Sequence, residues 1–381
     1  MHVGILLPGF SSDENDWAIP VQLTLVREMA HIDDVRVITL RYPHRRNSYS
    51  IYGATVHALG GAQVRGVKRL KLWSDAFQKI RNLHRQRPFD VLHAMWADET
   101  GLIAAWSGKW LGIPVVVSIA GGELVGFHDI NYGLQRSAFS RWVVNQALTQ
   151  ADCVIPACSY TAKLITKIGC EVPPENIRTI ALGVDTTVLE PQPPNKSTGD
   201  KTDLIHVASL VGVKDQQTLL RAVARLDAAV TLTLVGSGPE EARLKELANQ
   251  LDLANRIRFI GAVHHSEMPH YYLDAAIHVL TSRHEGLGMV TLEAAACGLP
   301  TVGTAVGLLP DHNELGITVP VGDDAALASA ISNLLRNDEH RRALGNSARD
   351  LVQSRFTIQH TLRQFRKLYQ DLMQQRTRRK S

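Results

Sequence analysis

The chain is expected to be α/β, with two domains that each hold a parallel sheet covered by helices on both faces. Three observations predict this: a length of 381 residues, short apolar runs alternating with helical patterns throughout, and one proline-rich polar stretch near the middle. A single core seldom grows past about 250–300 residues, so the length implies two or three domains. Strands that alternate with helices imply crossover units, and those units build parallel sheets. A composition of 45% hydrophobic and 20% charged residues is that of an ordinary globular protein able to bury a large core.

The apolar run His2 to Leu7 reads as the first strand. In the same half, Val35 to Leu40, Asp90 to His93, Val115 to Ile119, Cys153 to Pro156 and Ile177 to Ile180 read as strands too. From Glu190 to Asp200 the chain becomes proline-rich and polar, which marks a linker. A second series follows at Leu204 to Leu210, Thr231 to Val235, Ile257 to Ile260, Ile277 to Leu280, Thr301 to Gly303 and Gly316 to Pro320. The domains are therefore drawn as residues 1–188 and 203–357, joined by a linker at 189–202. A long amphipathic helix from Ile358 to Met373 and a basic tail make up 358–381. Two Rossmann-like sheets of this kind bind ligands at the C-terminal ends of their strands, here expected across a cleft between the domains.

Met1 to Pro8 is too short an apolar run for a signal peptide, and no stretch reaches about eighteen apolar residues without a charge. A cytoplasmic protein without a membrane span is the expectation. Cys153, Cys158, Cys170 and Cys297 lack the paired spacing of a zinc site and are expected to be buried, reduced thiols. Net charge is only +4, yet residues 36–87 carry twelve Arg or Lys against one acid, Asp75. Such a segment attracts an anionic membrane surface or a phosphorylated acceptor, or it is a set of solvated helix faces. Nucleic acid is not expected, because no recognition motif accompanies the charge. The tail from Arg376 to Lys380 is expected as a disordered basic end that adds to attraction by the inner face of a membrane.

The block most informative about chemistry runs from Arg283 to Pro300 and holds Glu285 and Glu293 with seven residues between them. A strand before it and helical composition from Met289 to Cys297 put Glu285 on a strand-to-helix loop and Glu293 just inside the helix, with Gly298 and Pro300 as the stop. Gly286 and Gly288 let the backbone approach a ligand, and the unpaired N–H groups of a helix start favour anionic or polyhydroxylated groups. Glu293 is suited to accept hydrogen bonds from a ribose diol. The alternative reading makes the two glutamates a solvated loop charge and a charge stabilised by the helix dipole.

The whole block resembles the E-x7-E signature of retaining GT-B glycosyltransferases, the family 4 or group 1 class. The resemblance implies Glu285 beside the donor sugar, the amides of Gly286, Leu287, Gly288 and Met289 on its hydroxyls and phosphates, and Glu293 on the nucleotide ribose. Lys214 lies on the loop between the strand ending at Leu210 and the helical pattern Gln216 to Leu226. There it neutralises a diphosphate leaving group or is a helix-start lysine. The family pairs that lysine with an arginine in a G-R-L-x-x-x-K-G pattern; here Ser209 holds the arginine position and Asp215 follows the lysine. Donor binding then falls to Lys214 with a second cation such as Arg283, or is weaker. Val235 to Glu241 contains a G-x-G that lacks a third glycine and reads as a tight turn. Gly303 to Asp311 and Val319 to Asp323 resemble later family loops, as nucleotide-side walls or as ordinary turns.

In the first half the resemblance places Gly9 in a glycine loop near donor and acceptor, and His93 either facing the ligand or satisfied in the core. Where relatives carry a sugar-touching histidine this chain has Ala120, which leaves Glu123 either to contact sugar hydroxyls or to cap a helix. The implied activity is a cytoplasmic, retaining hexosyltransferase of polysaccharide or glycolipid biosynthesis. Its donor is a UDP-, GDP- or ADP-hexose and its acceptor a hydroxyl. No cofactor or metal is expected, since no D-x-D sequence follows a strand. Two further readings fit the same residues: a degenerate relative that binds a sugar nucleotide or a partner without transfer, and a sugar-nucleotide epimerase.

Overall fold

The computed structural model describes every residue except Asn15, Trp17, Ala18, Gln63, Arg65, 190–201 and Ser381, and the side chains of Arg379 and Lys380. Most of the expected linker, and Arg65 of the basic segment, lie outside the described residues. The chain divides into two compact units, Met1–Ala181 with Ile358–Ser381, and Leu182–Thr357. The division falls at Ala181/Leu182 and not after residue 188, because Val184 donates to Phe356 O at 2.9 Å and ties the preceding stretch to the second unit.

The first unit contains β1 (His2–Gly9), α1 (Pro20–Ala30), β2 (Asp34–Tyr42), β3 (Arg46–Ile51), β4 (Ala54–Leu59), α2 (Lys68–Gln86) and β5 (Val91–Ala94). It continues through α3 (Glu99–Leu111), β6 (Val115–Ile119), α4 (Ala138–Thr149), β7 (Cys153–Pro156) and α5 (Ser159–Lys167). Its sheet runs β3-β4-β2-β1-β5-β6-β7, parallel except for β3. Ile5 of β1 lies between Val37 of β2 and His93 of β5. The β3–β4 hairpin was not expected from the sequence. Its strand Arg46–Ile51 is polar and mostly exposed, and its turn uses Tyr52 and Gly53, at φ of 46° and 84°, in place of the usual Asn-Gly. Conversely, Ile177 makes only an isolated bridge to Val154, so the strand expected at Ile177 to Ile180 does not form.

The second unit contains β8 (Asp203–Val207), α6 (Gln216–Ala224), β9 (Thr231–Val235), α7 (Glu241–Gln250), β10 (Ile257–Gly261) and α8 (Met268–Asp274). There follow β11 (Ile277–Leu280), α9 (Met289–Ala296), β12 (Thr301–Thr304), β13 (Gly316–Val319), α10 (Asp324–Arg336) and α11 (Asp338–Arg355). The order β10-β9-β8-β11-β12-β13 is all parallel and follows the 3-2-1-4-5-6 pattern of a dinucleotide-binding sheet. Strand order reverses between β8 and β11, the position at the carboxyl edge where sheets of this order bind their ligands. Lys214 follows β8 and Glu285 follows β11.

The last helix, α12 (Ile358–Lys380), belongs to the first unit. Ile358, Leu362, Phe365, Tyr369 and Leu372 recur every three or four residues and are buried, which is the apolar stripe of a docked helix. Arg366 reaches the buried Asp33 at 3.5 Å, and Asp33 also holds the N-terminal ammonium at 2.6 Å. The basic tail is helical to Lys380 and not a disordered end; its Gln and Arg residues are good helix formers.

Candidate active site

The carboxyl edge of the second sheet is assembled from main-chain contacts between loops distant in sequence. After β8 the chain makes a single 3-10 turn, Gly212–Lys214, and reaches α6 through Asp215 at φ 46°. The loop after β11 is laid along it: Arg283 N donates to Val213 O at 2.8 Å, and Thr281 Oγ1 to Lys214 O at 2.9 Å. Thr304 Oγ1, at the end of β12, donates to Ser282 O at 2.6 Å. These bonds fix the two loops on which the charged groups meet.

Lys214 Nζ lies 2.5 Å from Glu285 Oε1, and Ser282 Oγ donates to the same oxygen at 2.5 Å. Burial alone would push the Glu285 carboxyl up, but the Lys214 ammonium and the two hydrogen bonds outweigh it and hold it below the ordinary glutamate value. The site therefore keeps a buried carboxylate ionised at neutral pH, beside an ammonium that has two further donors.

From Glu285 the chain passes through Gly286, Leu287 and Gly288, all buried, to Met289 at the first turn of α9. Gly288 takes φ 87°, a left-handed conformation that only glycine adopts at little cost. The loop after β12 closes over this segment: Leu308 N donates to Leu287 O at 2.8 Å, and a Cβ on Gly307 would lie 2.9 Å from Glu285 Cβ. On α9, Glu293 accepts from Tyr272 Oη at 2.9 Å on one oxygen and faces His265 Nε2 at 3.2 Å on the other. The hydrogen bond to Glu293 raises the His265 imidazole above its ordinary value, against the opposing effect of burial. Ser209 is exposed, and its carbonyl accepts from Gln216 Nε2 at 3.1 Å.

The G-x-G turn after β9 packs on this segment through its backbone, since a Cβ on Gly236 would meet Ala208 O at 1.9 Å and one on Gly238 would meet Leu210 O at 2.3 Å. Asp323 caps α10 by accepting from Ala326 N at 2.8 Å. Ser282, Tyr272 and His265 were not singled out from the sequence. Ser282 was the one with a local signal, three residues before Glu285. Tyr272 and His265 approach Glu293 from 21 and 28 residues away.

The first-unit candidates are engaged by the protein itself. His93 is 0% exposed; its Nδ1 lies 2.6 Å from Tyr369 Oη and its Nε2 2.8 Å from Ser118 Oγ. Burial lowers this imidazole to about 3. Of the two sequence readings, the satisfied core histidine is the one that describes it, and it pins α12 to the sheet. The Glu123 carboxylate turns back on its own loop and accepts from Ala120 N at 3.0 Å, Gly121 N at 2.6 Å and Ala97 N at 3.4 Å. Burial pushes it up from the ordinary value, despite these bonds. Gly9 sits at an irregularity in the β1–β2 pairing, where a Cβ would lie 3.1 Å from Tyr42 Cβ. All four cysteines are buried thiols, and burial pushes Cys153 and Cys297 up to about 12. Among the described residues, no three or more His, Cys, Asp or Glu side chains converge as a metal site would require, and no helix is long and apolar enough to cross a membrane.

Residues 190–351 match the family described as "Glycosyl transferases group 1", and residues 20–183 match the "Glycosyl transferase 4-like domain". The chain is 27% identical over 310 residues to N-acetyl-alpha-D-glucosaminyl L-malate synthase of Bacillus anthracis, covering 77% of this chain and 78% of that protein. It is 28% identical over 251 residues to a GDP-mannose-dependent alpha-(1-6)-phosphatidylinositol monomannoside mannosyltransferase of Mycobacterium tuberculosis, covering 60% of this chain and 64% of the relative. Among solved structures, sucrose-phosphate synthase from Thermosynechococcus elongatus superposes with a TM-score of 0.79 at 22% identity, covering 98% of this chain and 99% of that one. Anabaena HepE in complex with UDP-glucose gives 0.73 at 17% identity, covering 97% and 100%. With both halves matched and each sheet in this order, the chain belongs to the group 1, family 4 glycosyltransferases of GT-B fold.

Proposed function

We propose that the enzyme is a retaining, metal-independent hexosyltransferase that moves a hexose from a nucleoside diphosphate sugar to an acceptor hydroxyl. The observation that carries this reading is the Lys214–Glu285 pair at 2.5 Å, at the point of the second sheet where strand order reverses. Relatives named for GDP-mannose dependence and a fold neighbour bound to UDP-glucose support a nucleotide-sugar donor. Malate and a phosphatidylinositol mannoside, in the names of two relatives, support a hydroxyl acceptor.

In this mechanism Lys214 turns its remaining donors to the diphosphate, and the Gly286 to Met289 amides add neutral donors at the helix start. Glu293 takes the ribose hydroxyls with its remaining lone pairs, held in orientation by Tyr272 and His265. Glu285, with Oε1 held by two donors, stabilises positive charge at the sugar instead of attacking it. The bond from the anomeric carbon to phosphate oxygen breaks as the bond to acceptor oxygen forms on the same face. The acceptor proton passes to the departing phosphate oxygen, leaving a glycoside and a nucleoside diphosphate.

A binding protein without transfer is the second reading, favoured by Ser209 standing exposed where the family carries arginine. A nucleotide-release assay across UDP-, GDP- and ADP-hexoses separates the two. Glu285→Gln is expected to lower turnover by roughly a hundredfold or more while the fold persists, in keeping with loss of a preorganised electrostatic group. EDTA is expected to leave activity intact. No release from any donor, with crude acceptor present, would favour the binding protein. The six cations at Arg45, Lys68, Lys71, Lys79, Arg81 and Arg85 make no ion pair among the described residues and support attraction to an anionic membrane surface. Arg36, Arg41, Arg46, Arg69 and Arg87 are instead paired with Asp34, Glu99 or Asp75.

A further inference from the structure

Helices α2, α3 and α4 lie side by side on one face of the first sheet, and together they expose an unusual amount of aromatic surface. Trp110 is 77% exposed, Trp142 44%, Phe139 43% and Trp106 39%, with Leu70 at 59% and Val67 at 83% just before and within α2. The rings form a cluster of four and a pair, brought to one side by Trp106 and Trp110, which lie four residues apart on α3. Trp73 touches Trp106 at 6.1 Å and Phe139 at 6.2 Å, Trp142 touches both Trp106 and Phe139, and Phe77 meets Trp110 at 5.9 Å. Scattered exposed apolar residues need no explanation, but clustered exposed aromatic rings on adjoining helices mark an interaction surface.

Its charge identifies the partner. The three helices carry eight Lys or Arg and two acids. Both acids are already neutralised: Asp75 pairs with Arg46, and Glu99 with Arg41 at 2.6 Å and Arg69 at 2.7 Å. Each of four exposed apolar side chains has a cation as its chain neighbour: Val67 beside Lys68, Leu70 beside Lys71, Trp110 beside Lys109 and Trp142 beside Arg141. Tryptophan on helices rich in lysine and arginine is suited to the headgroup layer of an anionic bilayer, where the indole enters the acyl boundary and the cations stay with the phosphates. A second copy is disfavoured by the same charges, since a two-fold interface here would set like cations against one another.

We propose that the α2–α3–α4 face is the membrane-docking surface of this enzyme, seated on an anionic lipid bilayer through Trp106, Trp110, Phe139 and Trp142. This deepens the attraction to anionic surfaces proposed above and extends it beyond residues 36–87 to α3 and α4. Reaction at the bilayer follows, with the acceptor a lipid or a lipid-linked glycan.

The test is co-sedimentation of the full chain with vesicles of phosphatidylglycerol and phosphatidylcholine, compared with phosphatidylcholine alone. The expected result is binding to the anionic vesicles only, with tryptophan emission shifted to the blue. A Lys68→Gln/Lys71→Gln variant should lose about 25-fold in partitioning, at about fivefold per cation near the surface, and Trp110→Ser roughly tenfold. Circular dichroism checks that both variants are folded, and nucleoside diphosphate affinity by calorimetry should match wild type in each. The proposal is overturned if the wild type stays in the supernatant with anionic vesicles, or if both variants pellet as it does. A dimer in light scattering that Trp110→Ser converts to monomer would also overturn it, and assign the face to a second copy. Absence of nucleotide binding in the wild type with vesicle binding retained would strike the donor-site reading and support the docking face.

Discussion

Burial alone would push the Glu285 carboxyl above its ordinary value, and Lys214 is the main reason that it is held below it instead. Because its folded-state value is depressed, the pair contributes stability above the ordinary glutamate value and loses it as pH falls through the lower folded value. Lys214→Ala removes the opposing charge and leaves burial in command. The Glu285 carboxyl should then titrate above the ordinary value in carboxyl-carbon NMR, and stability at neutral pH should fall by about 3 kcal/mol; an unmoved titration would mean the contact contributes little. Lys214, Glu285 and Glu293 were legible in the sequence because each belongs to a local pattern of strand end, glycine turn and helix start. His93 and Glu123 end strands in the same way, but what covers them is not local. His93 meets Tyr369 across 276 residues, and Glu123 is taken by backbone N–H groups whose directions no spacing reveals.

Packing between loops and helices decides whether these residues are held in place. A Cβ on Gly307 would lie 2.5 Å from Leu287 O and 2.9 Å from Glu285 Cβ, and the residue has φ 63°. Gly307→Ala is therefore expected to destabilise by about 1–3 kcal/mol and to lower turnover more than a distant glycine substitution would. Turnover equal to wild type would show that the β12 loop does not support Glu285. In the first unit, Tyr369→Phe takes the partner from His93 Nδ1 inside the core and should cost about 1–3 kcal/mol in denaturant unfolding. An unchanged midpoint would remove the pair from the account of how α12 is held. The alternation of apolar runs made most strands readable, since central parallel strands are buried on both faces. The edge hairpin β3–β4 escaped notice because an exposed strand needs no apolar run, and Tyr52-Gly53 is an uncommon turn pair.

Across the whole molecule, the two sheets share one order apart from the added edge strand β3, and each reverses beside its first strand, at β1/β5 and at β8/β11. The parallel pairing within both follows from the alternating pattern, whereas the return of α12 to the first unit depends on contacts with Asp33 and His93 that only the fold brings together. The central proposal is that the second unit carries the nucleotide site, with Lys214 for the diphosphate and Glu293 for the ribose. Calorimetric titration of UDP, GDP and ADP into the wild type and Glu293→Ala tests it most directly. The account predicts that at least one nucleotide binds the wild type and that Glu293→Ala weakens it by about tenfold or more, the worth of charged hydrogen bonds, with the fold unchanged. Binding by none of the three, or equal affinity in wild type and variant, would contradict it.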